Sequence, residues 1–106
     1  MIINLTPHAI NFVNSNGDIY KTINPDGTVA RLQTDTVVFG QIEDIPLTRT
    51  EFGPIDGLPD PQPGVYYIVS SLVAQQCKDR NDVYIPNESV RDSNGRIIGC
   101  KSLGKI

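Results

Sequence analysis

A chain of 106 residues has room for one domain and not for two. With 20% charged residues and a formal net charge of −3 it carries too little charge to stay disordered, and 39% hydrophobic residues suffice for one thin core. An acidic pI of about 4.9 argues against nonspecific nucleic-acid binding, which needs a basic field.

The charge is unevenly spread. Met1 to Gln76 holds three basic residues against eight acidic ones, net −5; Cys77 to Ile106 holds six against four, net +2. An anionic ligand is therefore expected near the C-terminal third. Met1 to Val13 lacks the basic start of a secretory signal, and no apolar run approaches the 18 or more residues of a membrane span. A cytoplasmic protein is expected, with no membrane and no nucleic acid among its partners. A homo-oligomer suits a core this thin. In that setting Cys77 and Cys100 are expected to be buried free thiols.

Ala9 to Val13 and Asp18 to Ile23 read as strands joined by Asn14-Ser15-Asn16-Gly17, since Asn-Gly accepts the positive φ of a hairpin turn. Asn24-Pro25-Asp26-Gly27 is a further turn. Thr28 to Leu32 and Thr36 to Phe39 are rich in β-branched residues and read as strands. Ile45 to Phe52 alternates in part and reads as an edge strand, with Pro46 near its start. Gly53 to Gly64 holds four prolines and three glycines, so it reads as a stiff loop pinned by Ile55 and Leu58.

Val65 to Val69 is five consecutive β-forming apolar residues, which fits a central strand buried on both faces. Leu72, Val73 and Gln76 then fall at helical spacing, and Ser70 or Ser71 can cap a helix from about Ser71 to Lys78. Asp82 to Ile85 is a strand ending at Pro86. Val90-Arg91-Asp92 and Arg96-Ile97-Ile98 flank Ser93-Asn94-Gly95, a third hairpin signal. The sum is a mainly β single domain over residues 1–106: a compact barrel or twisted antiparallel sheet of about seven or eight short strands with one short helix. Seven strands also suit a sandwich.

No catalytic or metal motif emerges. Gly95 to Ser102 resembles a phosphate loop, but only three residues separate its glycines, Cys100 precedes the lysine, and no helix can follow. His8 is the only histidine and follows Pro7, where a bend fits it better than a zinc site or a general base. Ser70 and Ser71 open the helix, where backbone N–H groups can hold an anion, though no Gly-x-Ser-x-Gly pattern surrounds them. Arg80, Asp82, Arg91 and Asp92 lie near strand ends. They can form an ion-pair network, or offer forked donors to a phosphate or carboxylate. The candidate ligand-binding set is therefore Ser70, Ser71, Arg80, Asp82, Arg91 and Asp92, with no catalytic residue, metal ligand or cofactor.

The stretch Asn4-Leu5-Thr6-Pro7-His8-Ala9-Ile10-Asn11 resembles the opening of a group of small proteins of tailed phages and prophages. The resemblance continues at Thr28-Val29-Ala30-Arg31, Gly57-Leu58-Pro59, Tyr67-Ile68-Val69-Ser70, Arg80-Asn81-Asp82 and Val90-Arg91-Asp92, and so covers nearly the whole chain. It implies a protein made inside an infected or lysogenic bacterium, and implies no particular chemistry. Size, resemblance and the lack of catalytic motifs lead to one expectation: a non-enzymatic binding protein of phage origin that holds a small anionic, nucleotide-like ligand or a host protein and blunts a bacterial defence. The alternatives are a small hydrolase acting on a nucleotide or peptide, and a structural accessory of the virion or lysis machinery.

Overall fold

In the computed structural model, which describes residues 1–106, eight strands run in the order β1 (Ile2–Asn4), β2 (Ile10–Val13), β3 (Ile19–Ile23), β4 (Arg31–Ile42), β5 (Ile45–Asp56), β6 (Tyr66–Ile68), β7 (Val83–Arg91) and β8 (Ile97–Gly104). The single helix, α1 (Ser71–Gln75), lies between β6 and β7. Six strands form one sheet in the order β1-β6-β7-β8-β2-β3, and β4 pairs only with β5. The chain is mainly β with one short helix, as its turn spacing and β-branched runs predict.

The apolar Val65 to Val69 run supplies β6, which pairs in parallel with both β1 and β7. Tyr67, Ile68 and Val69 are fully buried, as a strand covered on both faces must be. Successive side chains point to opposite faces, so β6 feeds two cores. Tyr67 and Val69 join Leu5, Ala30, Val73, Ala74, Cys77 and Val83 beneath α1. Ile68 instead packs with Ile10, Phe12 and Cys100. Two strands, β7 and β8, separate β6 from β2 in the sheet. Ile68 can reach Phe12 only across the inside of a curl, so this second core fills the interior of a nearly closed barrel.

The seam of the barrel lies between the sheet's two ends. Asn4 of β1 bridges Pro25 just after β3, and the Asp26 amide donates to the Asn4 carbonyl at 2.9 Å. Pairs β1–β6, β6–β7 and β2–β8 are parallel, so the sheet is mixed and not purely antiparallel.

Two sequence boundaries move in the barrel. The helix stops at Gln75, not Lys78: the Gln76 and Cys77 amides bond back three residues, to Val73 and Ala74, and this tightening ends the α-helical ladder. The strands expected on either side of Pro86 are one, because β7 changes partner there, pairing with β6 through Val83 and Tyr84 and with β8 from Ile85 onward. Pro86 follows that handover, opposite Leu103.

The largest difference is β4–β5. The short strands expected between Thr28 and Phe52 are a hairpin of two 12-residue strands that meet at Glu43-Asp44. β5 runs on through Gly53 and Pro54, which fall in a bulge, so the stiff loop begins only at Gly57. Gly57 has φ +82°, and a Cβ there would lie 2.8 Å from the Val29 carbonyl oxygen, so only glycine returns the chain to the body. The hairpin packs on the core through Leu32 and Ile55 at its root. The rest projects as an arm. The radius of gyration is 17.1 Å, against about 13 Å for a compact domain of this length.

Candidate functional site

The barrel interior opens to solvent at the end where β1 and β6 begin. Ile2, Tyr66, Tyr84 and Leu103 line a hollow there of about 370 Å³. Ile2 pairs with Tyr66 in register, and Tyr84 shares a face with Ile68 because the two are partners across β6–β7. The Tyr66 and Tyr84 rings stand 6.2 Å apart and tilted by 59°. Ile2 and Leu103 also border a second hollow of about 260 Å³, lined by Phe12, Tyr20, Lys21, Ile23, Lys101 and Ser102. The two hollows form one mouth. Its walls are aliphatic and aromatic, and its cations are Lys21 and Lys101. Neither lysine belongs to the chain's two ion pairs, Arg49–Glu51 and Arg80–Asp82. Ser102 Oγ donates to Glu88 Oε1 at 3.0 Å, so one carboxylate stands beside the mouth.

The six residues singled out from sequence lie elsewhere, at three separate places. Ser70 is the helix N-cap: its Oγ accepts from the Val73 amide at 3.4 Å, and its backbone is extended. It borders an open groove of about 390 Å³ between α1 and the arm root, together with Leu5, Thr6, Pro7 and Arg31; Ser71 is exposed beside it.

Arg80 grips Asp82 through a fork, Nε to Oδ1 at 2.9 Å and Nη2 to Oδ2 at 2.7 Å. Nη2 also donates to the Pro59 carbonyl at 2.9 Å, and the guanidinium lies 6.0 Å from the Tyr67 ring centre. The hydrogen-bonded fork holds the Asp82 carboxyl below its usual range and raises Arg80 further. Arg91 donates to the Gly95 carbonyl at 2.7 Å, while Asp92 Oδ1 accepts from the Asn94 and Arg96 amides at 2.9 and 3.0 Å. This second pair shapes the β7–β8 hairpin. Arg80 precedes β7 and Arg91 ends it, so roughly 25 Å of strand separates them. The four charged residues form no single network, and the arginines do not converge.

The Asn-Leu-Thr-Pro-His segment has a clear local purpose. Asn4 is 1% exposed. Its Nδ2 donates to the carbonyls of His8 at 2.8 Å and Ile23 at 3.1 Å, and its Oδ1 accepts from the Thr6 amide at 2.9 Å and Thr6 Oγ1 at 2.6 Å. It shapes the bend and ties it to β3. His8 is exposed on that bend and contributes through its carbonyl. No three His, Cys, Asp or Glu side chains gather as a metal site.

Cys77 and Cys100 are buried in different cores, on opposite sides of β6. Burial pushes both thiols up, away from the reactive thiolate. Native protein should therefore react slowly with a thiol reagent at neutral pH, and denatured protein should titrate two free groups. Rapid labelling of the folded chain would contradict this placement.

No protein-family model matches the chain, and no curated protein or solved structure matches it. Tyr20, Lys21, Tyr66, Tyr84 and Lys101 were not singled out from sequence. The available signal was parity: only one of Tyr66 and Tyr67 can share the face of Ile68.

Proposed function

We propose that this chain is a non-enzymatic binding protein of phage origin whose barrel mouth holds a small ligand with a flat ring and an anionic group, as a nucleotide has. One observation carries the reading: two adjoining hollows that share Ile2 and Leu103 are bordered, one by Tyr66 and Tyr84, the other by Tyr20 and by two lysines outside any ion pair. Barrel mouths are habitual ligand sites, and their volumes run from about 300 Å³ upward. Tyrosine faces stack on flat rings, and ammonium groups complement phosphate. The lining supplies no histidine, cysteine or aspartate to attack a bound molecule. Sequestering a nucleotide signal in this way would blunt a bacterial defence that depends on it.

Calorimetric titration with a panel of purine and pyrimidine mono- and dinucleotides tests this. Saturable binding is expected for at least one of them. Tyr84→Ala should weaken it by about 1–3 kcal/mol, or roughly 5- to 150-fold, as stacking losses do. Lys21→Ala and Lys101→Ala should each weaken it about 10-fold and reduce its salt dependence. Affinity that is unchanged in all three variants, or no binding across the panel, would overturn the assignment.

A further inference from the structure

The arm presents a second surface with no cover in its own chain. Directly opposed residues of an antiparallel pair share a face. The register therefore puts Thr34 with Phe52, Thr36 with Thr50, and Val38 with Thr48 on one face. Leu32 and Ile55, also opposed, lead into this face at the root, where they pack on the core. The face that begins as core thus continues outward without a charge. Val38 is 64% exposed, Phe52 48%, and Phe39 in the neighbouring bulge 59%. A lone two-stranded ribbon is marginal in water at best.

We propose that the arm packs on the body of a second copy of this chain, and that two copies exchange arms about a two-fold axis. Area favours the reciprocal arrangement. Twelve residues at about 3.3 Å each make a ribbon roughly 40 Å long and about 10 Å wide, hence about 400 Å² per face. One arm on one body hides roughly 800 Å² in total, the size of a packing contact, whereas two reciprocal contacts hide roughly 1,600 Å², the size of a stable interface.

Charge selects the same occupant. The arm, Arg31–Asp56, has two basic residues and five acidic ones, net −3. Residues 93–106 have three basic ones, Arg96, Lys101 and Lys105, and no acidic side chain, net +3. Between those cations β8 exposes Ile97 and Ile98. The arm's acidic tip, Glu43-Asp44, and the uncharged face leading to it complement a basic strand with exposed isoleucines, and each chain carries one of each.

Sedimentation of the full chain at high micromolar concentration tests the proposal. The expected mass is twice 11.6 kDa. Val38→Asp combined with Phe52→Asp should raise the dissociation constant by about 100-fold or more, since each buries an unpaired charge, and should give a monomer with unchanged far-UV circular dichroism. If that variant loses its fold, Val38→Thr with Phe39→Ser gives the milder test. Arg96→Glu should weaken the dimer from the other side, with the arm intact. A monomeric wild type overturns the proposal, as does any oligomer that survives the arm substitutions unchanged.

Discussion

Asn4→Ala is expected to cost about 3–4 kcal/mol of folding stability. The Asn4 amide uses its full capacity, two donors and two accepted bonds. Removing it orphans the Ile23 carbonyl at the seam and the Thr6 amide at the bend, and leaves the His8 carbonyl only the Thr6 hydroxyl at 3.1 Å. A buried group left unpaired costs about 1–3 kcal/mol, and those nearest solvent recover part of it from water. At about 4–8 °C per kcal/mol, the melting temperature should fall by at least about 12 °C. Asn4→Asp separates hydrogen bonding from volume. It keeps the shape and the acceptor for Thr6, but sets a carboxylate against two carbonyl oxygens. It should be as damaging as alanine at pH 7 and recover in acid, where its protonated form regains one donor. A loss below about 1 kcal/mol for Asn4→Ala in urea titration would show that the seam does not depend on this side chain.

Much of the barrel is legible in the residues, and the reasons are local. Asn16-Gly17 and Asn94-Gly95 both form turns, closed by Gly17 to Asn14 and Gly95 to Asp92 backbone bonds of 3.0 Å each. The continuous apolar run at β6 announces burial on both faces, and Ser70 announces the helix start. The arm is illegible for the converse reason. Its turn is Glu43-Asp44, with Glu43 at φ 55° and neither Asn nor Gly to mark it. Its strands carry bulges that break the alternation a reader would follow. The mouth is illegible because Lys21, Tyr66, Tyr84 and Lys101 sit on four strands whose assembly needs the parallel β6–β7 and β2–β8 pairings, and parallel register leaves no signature in a single sequence. The Arg80–Asp82 pairing was readable, but not its direction. The fork is spent on a carboxylate and a loop carbonyl, where a ligand-binding arginine would keep it free.

Arg80→Ala and Asp82→Ala are each expected to lower stability by about 2 kcal/mol, and to leave nucleotide affinity at the mouth unchanged. The pair's side chains are only 19% and 14% exposed, so removing one partner strands a largely desolvated charge. Full burial would cost about 3–5 kcal/mol, and the remaining exposure reduces that. Arg80 should be the worse loss, because its bond to Pro59 also pins the proline-rich loop. Limited proteolysis should then cut that loop sooner. Arg80→Lys should not rescue, since an ammonium cannot fork to two oxygens and reach the carbonyl as well. The pH dependence gives an independent readout. Asp82 titrates lower in the folded chain than its ordinary value near 3.9, first because Arg80 hydrogen-bonds its charged form. The stabilisation is therefore complete above about pH 4 to 5 and is lost as pH falls through the depressed folded value, where the unfolded chain already holds the proton. Wild type and Asp82→Asn should differ by a constant amount from pH 5 to 8, as estimated from that linkage, and converge only in stronger acid. A double-mutant cycle with a coupling of about 1–2 kcal/mol would tie the effect to the pair. Additive single losses, or a gap that closes already at neutral pH, would show that Arg80 and Asp82 stabilise the loop separately and not as a charge-assisted fork.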